Sequence, residues 1–267
     1  MFKRRIKIIT SLIVSAIFLT VNSCVDDPEF ADMPRIEFES ITYVEQRNFD
    51  EADSLIITIN FEDGDGDLGL EPDENTPPFN ERNYFSNKTG NEFNFGVETL
   101  EDLLVISDTA TIDSLRPLAN SQFACLFWDE DPEIFVQDPD GNSVQLDTTV
   151  YYRLNERHNN IFIRFYNDIN NDGMIDEETE ELDFRTINPS GCSANYDARF
   201  PVLDDLDGSS ALEGSISQAL VQLISFRETA FLGDRLSKLK VYILDRAGNR
   251  SNTIVTPEFF LRDIQTN

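Results

Sequence analysis

The chain is short of the residues and motifs on which most nucleophilic and zinc-dependent enzymes rely. It has one histidine, three cysteines and no C-x-x-C pair, which disfavours a zinc site built from cysteine and histidine. Neither a G-x-S-x-G motif nor a P-loop occurs. The single histidine, His158, stands in the loop-like sequence E-R-H-N-N, which favours a solvent-facing side chain over a general base. The sequence therefore predicts a protein that is not an enzyme.

Basic residues are also scarce. Lysine and arginine number 21 against 50 aspartates and glutamates, which gives a formal net charge of −29. A surface this acidic repels nucleic acid and anionic lipid headgroups, so neither is expected as a partner. Because 40% of the residues are hydrophobic and the acids are spread among apolar runs, disorder throughout the chain is not expected.

Long apolar runs are confined to residues 8–21, which follow the basic stretch M-F-K-R-R-I-K. This run is shorter than the roughly 20 residues that span a bilayer, and it has the length of the apolar region of a signal peptide. It leads into V-N-S-C, which resembles the lipobox of bacterial lipoproteins, where the signal is cut before a cysteine that is then acylated. The resemblance implies a signal peptide over residues 1–23 and a lipid anchor on Cys24. An ordinary secretory signal with an incidental cysteine is the alternative.

An acidic tether that contains two prolines completes residues 24–34. Ten extended residues reach at most about 35 Å, so the folded body is expected close to the membrane. Acidic residues just after the lipidated cysteine resemble the signal that sends Bacteroidota lipoproteins to the outer cell surface. The expected location is therefore the outer membrane, facing the cell exterior.

The other two cysteines, Cys125 and Cys192, remain as a pair if Cys24 carries lipid. An exported protein permits a disulfide between them, and this bond is predicted. Spacing alone does not establish contact, so two buried free thiols are the alternative.

Alternation of apolar and polar residues predicts strands through most of the chain. The pattern occurs at residues 35–46, 54–61, 148–154, 160–166, 212–226, 238–244 and 252–261. Segments rich in Asn, Gly and Asp separate most of these runs, and the one helical candidate is short, at residues 97–104. Strands at this spacing with turn-rich connections predict an all-β sandwich.

A run of alternating aspartate and glycine, F-E-D-G-D-G-D-L-G-L, follows the second predicted strand. Its carboxylates repel one another unless a cation lies between them, and oxygen ligands at every second position of a flexible loop suit Ca²⁺. The predicted ligands are Asp63, Asp65, Asp67, Glu71 and Glu74. The two glutamates stand at the ninth and twelfth positions, where an EF-hand has its last side-chain ligands, but Leu68 replaces the EF-hand glycine. The alternative is a solvated Asp-Gly turn.

A second acidic loop, D-I-N-N-D-G-M-I-D, matches the first nine positions of an EF-hand calcium loop. Gly173 stands at the sharp turn, and Met174 is placed to offer its backbone carbonyl. The predicted ligands are Asp168, Asn170, Asp172, Met174 and Asp176. Thr179 occupies the twelfth position, so the closing ligand is open. The alternative is a polar hairpin turn.

Near the end of the chain, the sequence K-L-K-V-Y-I-L-D-R-A-G-N-R-S-N-T-I-V-T resembles the final hairpin of bacterial Ig-like and fibronectin-III-like modules. Together with F-x-D-G-D-G-D-L-G after an early strand, it is similar to a family of uncharacterised Bacteroidota surface lipoproteins. The resemblance implies an Ig-like β-sandwich over residues 35–267 with a large insertion at about residues 75–205. The loops that follow the second and the next-to-last strands lie at the same end of such a fold. We therefore expect Asp245 to complete the calcium shell of the first acidic loop.

The expected function is that of a lipid-anchored cell-surface binding or structural module with calcium-stabilised loops, whose partner is a glycan or another surface protein. The first alternative is a carbohydrate-capturing outer-membrane lipoprotein, which would expose a row of Trp or Tyr. Trp128, Tyr151 and Tyr152 are candidates for that row, although a place in the core is favoured for them. The second alternative is a surface hydrolase, which would have a concave pocket in the insertion with two or more convergent acids.

Overall fold

The computed structural model describes residues 30–45, 52–110, 128–137, 141–182, 196–203, 211–222, 233 and 235–266. The predicted signal peptide, Cys24, Cys125 and Cys192 lie outside these residues. The lipid anchor and the disulfide therefore stay predictions. Within the described ranges, no helix is long and apolar enough to cross a membrane.

Strands make up most of the regular structure. They are β1 Arg35–Val44, β2 Asp53–Asp63, β3 Arg82–Tyr84, β4 Trp128–Asp129, β5 Phe135–Gln137, β6 Ser143–Gln145, β7 Val150–Leu154, β8 Ile161–Asn167, β9 Leu212–Gln222, β10 Ser237–Ile243, β11 Ile254–Val255 and β12 Gln265–Thr266. The helices of the described residues are short 3₁₀ turns at Leu100–Asp102, Ile106–Ala110, Glu156–His158 and Leu261–Asp263. The prediction of an all-β protein is confirmed.

The helix predicted over residues 97–104 is wrong. Only Leu100–Asp102 forms a helical turn, in which the Asp102 carboxylate accepts hydrogen bonds from the backbone N–H and hydroxyl of Thr99. Leu103 then continues in an extended conformation, forms a β-bridge with Ser86 and buries its side chain. Burial of Leu103 therefore overrides a weak helical pattern.

Four strands form the first sheet, in the order β12-β1-β2-β9. The central strand β2 pairs antiparallel with β1 and β9, and β12 adds to β1 in parallel. Alternate residues of β2, among them Leu55, Ile57 and Ile59, are buried, and the residues between them are partly exposed. The period of two that predicted this strand therefore places one face of the sheet in the core.

Three strands form the second sheet, in the order β11-β10-β8, with antiparallel pairing. Ile163 of β8 and Leu239 and Val241 of β10 belong to the same buried cluster as the inward residues of β2. The two sheets therefore share one core. β11 is shorter than the predicted run at residues 252–261, because Pro257 has no backbone N–H with which to continue the pairing.

The segment between β2 and β8 contains a further sheet, β3-β7-β4, and the hairpin β5-β6. Two more clusters of buried side chains lie in this segment. One contains Phe93, Leu103, Ile134 and Val150, and the other contains Leu104, Trp128 and Tyr151. These side chains are distinct from the core that the first two sheets share, so the segment has apolar packing of its own.

Candidate metal centre

The loop that follows β2 is shaped by its glycines and by the start of the described chain. The Gly64 N–H donates to the carbonyl oxygen of Ala31 (2.8 Å), and a Cβ at residue 64 would lie 2.4 Å from the carbonyl oxygen of Phe30. Gly66 has a φ of +69°, in the left-handed region that favours glycine. These two positions let the backbone turn tightly enough for the alternate aspartates to approach one another.

Four aspartates meet where β2 and β10 end. They are Asp63, Asp65, Asp67 and Asp245, and each offers a carboxylate oxygen that lies within 4.8 Å of the others. Asp63 is fully buried, Asp245 is 5% exposed, and the other two are half-buried. In the part of the chain that the structure describes, this is the only group of three or more Asp, Glu, His or Cys side chains that comes so close together.

Three oxygens of this aspartate cluster are buried without a hydrogen-bond donor. They are the Oδ1 atoms of Asp63, Asp65 and Asp67. A buried acceptor left without a partner costs about 1–3 kcal/mol, and a charged one costs more. Oxygen-only donors of this kind suit a hard cation such as Ca²⁺ or Mg²⁺ rather than a transition metal. The unpartnered oxygens therefore fit a bound divalent cation.

The pKa values of the clustered carboxylates also fit a bound cation. Burial, reinforced by the neighbouring carboxylates of Asp65, Asp67 and Asp245, raises the pKa of Asp63 to about 7. Burial and the charges of Asp245 and Asp65 also raise the pKa of Asp67. Burial raises the pKa of Asp245 although Asn249 donates hydrogen bonds to it. Without a cation, the fold thus disfavours the charged state of three of the four carboxylates.

Asp245 both shapes its own turn and completes the aspartate cluster. Its carboxylate accepts hydrogen bonds from the Asn249 backbone N–H (2.6 Å) and side-chain amide (2.7 Å). The two loops are also joined directly, because the Ala247 N–H donates to Asp67 Oδ2 (2.9 Å) and the Arg246 N–H to the Asp67 carbonyl oxygen (3.2 Å). The predicted meeting of the loop after β2 with the loop after β10 is confirmed.

Glu71 and Glu74, predicted as further ligands, are not part of the aspartate cluster. Glu71 is exposed, and both carboxylate oxygens of Glu74 accept from the Arg246 guanidinium (2.6 and 2.7 Å). This pairing lowers the pKa of Glu74. Arg246 lies over the ring of Phe79, 4.8 Å from its centroid. The sequence motif D-R-A-G-N contains this arginine, but nothing in the motif indicates its partner.

The second acidic loop is arranged differently. Asp168 is buried, and its two oxygens accept hydrogen bonds from the backbone N–H groups of Asp172 (3.0 Å) and Gly173 (2.8 Å). Asn170 Oδ1 also accepts from the Asp172 N–H (2.9 Å). The loop thus resembles the polar turn that was the alternative prediction.

The remaining predicted ligands of the second loop follow the same pattern. Asp172 Oδ1 accepts from the Met174 N–H (3.0 Å), and Asp176 Oδ1 accepts from the Glu178 N–H (2.9 Å). Glu180, which was not predicted, is buried and accepts from the Asp176 N–H (2.8 Å). Backbone donors occupy the carboxylates here, and metal binding by this loop stays a prediction.

The other residues considered from the sequence are structural. Trp128, Tyr151 and Tyr152 are buried, as the core interpretation expected. His158 is half-buried rather than solvent-facing, because Arg199 donates a hydrogen bond to its Nδ1 (2.7 Å). The same arginine donates to the carbonyl oxygens of Glu74 (2.8 Å) and Phe79 (2.8 Å). His158 therefore helps to hold the segment that leads away from the aspartate cluster.

Comparison with protein-family models, with curated proteins and with solved structures found no match to this chain. What the protein does must therefore be argued from its own residues.

Proposed function

We propose that this chain is a lipid-anchored cell-surface binding or structural module of Ig-like fold, in which Ca²⁺ bound by the aspartate cluster stiffens the loops at one end. The observation that carries the calcium assignment is the set of three buried carboxylate oxygens without donors. Like charges held this closely in a partly buried site are unfavourable unless a cation compensates them.

Calcium suits the spacing of the cluster. Ca²⁺ takes six to eight oxygens at about 2.3–2.6 Å, so two ligands on opposite sides of the ion lie up to about 5 Å apart. The oxygens of the four aspartates lie within 4.8 Å of one another. Mg²⁺ requires shorter distances and near-ideal octahedral geometry, which an irregular meeting of two loops supplies less readily.

The strand order supports the Ig-like assignment. An Ig-like sandwich has strands A, B and E in one sheet and C, F and G in the other. In this protein one sheet has the order β1-β2-β9, which corresponds to strands A, B and E. The other has the order β8-β10-β11, which corresponds to strands C, F and G. The insertion would then lie between β2 and β8 and end before residue 160, rather than extend to about residue 205.

The aspartate cluster lies beside the proposed tether. Residues 24–34 would join the lipid to β1, and the Ala31 carbonyl in this tether accepts from the Gly64 N–H of the acidic loop. The segment that leaves the loop is held in turn by the Glu74–Arg246 ion pair. Calcium at this position would stiffen the joint between tether, body and insertion.

Thermal melts of residues 25–267 test the calcium assignment. At 100 times its dissociation constant, Ca²⁺ adds about 2.7 kcal/mol, which raises Tm by about 5–10 °C for a domain of this size. Asp65→Asn removes one ligand charge at a half-buried position and should lose most of this response. A wild-type Tm that is the same in Ca²⁺ and in chelator would refute the assignment.

The lipid anchor has a separate test. Cys24→Ala in the full chain should release the protein from membranes and abolish labelling with fatty acid, because it removes the only proposed attachment point. Cys125→Ala is the matched control and should stay in the membrane fraction. Continued sedimentation of the Cys24→Ala protein with membranes would contradict the anchor.

A specific observation bears on the hydrolase alternative. The segment between β2 and β8 has a recess of about 690 Å³ whose lining includes Asp129, Asp131 and Glu133. The most buried of these acids, Asp129, already accepts from Arg82 (2.6 Å) and from the Tyr84 hydroxyl (2.9 Å). An acid so engaged is poorly placed for proton transfer, so the recess favours binding over catalysis.

A further inference from the structure

The recess between β2 and β8 has the properties of a binding site. Its volume of about 690 Å³ lies within the range of about 300–1,000 Å³ that is usual for ligand pockets. Three large apolar side chains in its lining are unusually exposed, namely Phe95 (57%), Leu100 (39%) and Phe135 (62%). Exposed apolar side chains gathered in one recess and bordered by polar groups are typical of an interaction surface.

The aromatic wall of the recess is fixed in place. Phe95 makes edge-to-face contacts with Phe93 (centroids 4.8 Å apart) and Tyr84 (6.2 Å apart). The Tyr84 hydroxyl in turn donates to Asp129, which is buried. A wall held in this way loses little conformational freedom when a ligand binds.

The charge of the recess selects the ligand. Among the lining residues that the structure describes, Arg82 is the one cationic side chain, and its guanidinium is paired with Asp129 at 2.6 Å. Glu81, Asp131 and Glu133 add three more carboxylates, of which the last two are exposed. The whole chain, at a formal net charge of −29, also attracts cations and repels anions.

We infer that this recess binds a segment of a partner protein that presents a lysine or arginine next to an apolar side chain. The apolar side chain packs between Phe95 and Phe135, and the cation lies against Glu133 and Asp131. A cation beside an exposed aromatic face gains further attraction from the ring. The inference rests on the proposed role as a binding module but not on calcium.

A neutral glycan is the competing occupant. Side chains that stack on sugars are most often Trp and Tyr. Trp128, Tyr151 and Tyr152 are buried, and Tyr84 in the lining is half-buried, with its hydroxyl held by Asp129. The exposed carboxylates of Asp131 and Glu133 complement a cation and offer a neutral sugar no electrostatic gain. The charge and the exposed phenylalanines therefore favour the basic peptide.

Fluorescence anisotropy with labelled peptides tests the inference. The probes are Lys-Leu-Lys-Phe-Lys-Leu and its uncharged counterpart Ser-Leu-Ser-Phe-Ser-Leu, and maltohexaose serves as an unlabelled competitor. The lysine peptide should bind at least about tenfold more tightly than the serine peptide. Glu133→Gln and Phe135→Ser should each weaken its binding at least about fivefold, since both side chains are exposed and neither supports the core.

Matched controls separate the recess from general attraction to an acidic surface. Glu258→Gln and Val255→Ser remove an exposed charge and an exposed apolar side chain away from the recess, and neither should weaken binding. The inference would be overturned if the lysine peptide did not bind, or if maltohexaose displaced it. It would also be overturned if the control variants lost as much peptide affinity as the recess variants. Repeating the titration in chelator distinguishes the two proposals. Peptide binding that persists while the melts show no calcium response would refute calcium and keep the recess.

Discussion

The two acidic loops of this chain have similar sequences and opposite arrangements. In the loop after β2, alternate aspartates approach one another and Asp245, and the Oδ1 atoms of Asp63, Asp65 and Asp67 have no donor. In the loop after β8, backbone N–H groups point at the carboxylates, as they do at both oxygens of Asp168. The second loop matches the EF-hand pattern better, yet the first is the one whose carboxylates come close enough to hold a cation.

The difference comes from what lies opposite each loop. The loop after β2 faces Asp245 in the turn that follows β10, so four carboxylates gather and their oxygens exceed the available donors. The loop after β8 folds back on itself, and its own backbone supplies donors. Carboxylate spacing along a sequence is therefore a weaker indication of a metal site than the number of oxygens left without donors in the fold.

The largest expected contrast is a pH effect in calcium-free buffer. The pKa of Asp63 is raised from 3.8 to about 7, so the stability that its neutral form contributes is complete below the unfolded value and is lost as pH rises through about 7. The loss for this group is on the order of 4 kcal/mol over the whole interval from pH 3.8 to about 7, and roughly half of it falls above pH 5.5. Calcium-free protein should therefore melt lower at pH 8 than at about pH 5.5.

Asp63→Asn is the control for that experiment. It keeps an acceptor for the Asp67 N–H, which donates to Asp63 Oδ2 (3.1 Å), and it removes the titrating group. The part of the pH dependence that Asp63 contributes should disappear in this variant, and the raised pKa values of Asp67 and Asp245 account for what remains. If wild type and Asp63→Asn show the same slope of Tm against pH, the pKa of Asp63 is not raised in the folded protein.

In the second loop, Asp168→Ala should destabilise the protein equally with and without calcium. It leaves the Gly173 N–H without an acceptor and the Asp172 N–H with Asn170 Oδ1 alone, which costs about 1–2 kcal/mol, or a Tm decrease of about 2–8 °C. Asp172→Ala, at an exposed position, is the matched control and should change Tm little. A loss that appears only in calcium would show that the second loop binds the ion instead.

Glu74→Gln tests whether Glu74 belongs to the calcium ligands. Glu74 is paired with Arg246 instead of lying among the aspartates, so the substitution should cost about 1–2 kcal/mol in calcium and in chelator alike. The calcium-induced rise in Tm should be unchanged. A reduced calcium response would place Glu74 among the ligands, as its twelfth position in an EF-hand alignment predicted.

Much of the architecture could be predicted because period-two patterning reports burial directly. The run that became β2 alternates because one of its faces lies in the shared core, whereas in β8 every residue except Arg164 is buried. The meeting of Asp245 with the first loop followed from the Ig-like resemblance, which places those two loops at one end. Both predictions depended on regular strand geometry.

Which of the predicted ligands come together could not be fully predicted, because the chain leaves the loop in a way that no local pattern encodes. Gly69 has a φ of +103°, and a Cβ there would lie 2.4 Å from the carbonyl oxygen of Pro201. The Leu70 N–H then donates to the carbonyl oxygen of Phe200 (3.2 Å). This contact with a distant segment directs Glu74 toward Arg246. The prediction of Glu74 as a ligand had assumed one continuous calcium loop, as in an EF-hand.

Counting bound ions at equilibrium tests the central claim most directly. Residues 25–267, dialysed against labelled Ca²⁺, should hold one more tightly bound ion per chain than the Asp65→Asn variant, because that variant removes a carboxylate from the aspartate cluster. Asp172→Ala should hold as many ions as wild type. An ion count that is the same for wild type and Asp65→Asn, or one that falls in Asp172→Ala instead, would contradict a calcium site at Asp63, Asp65, Asp67 and Asp245.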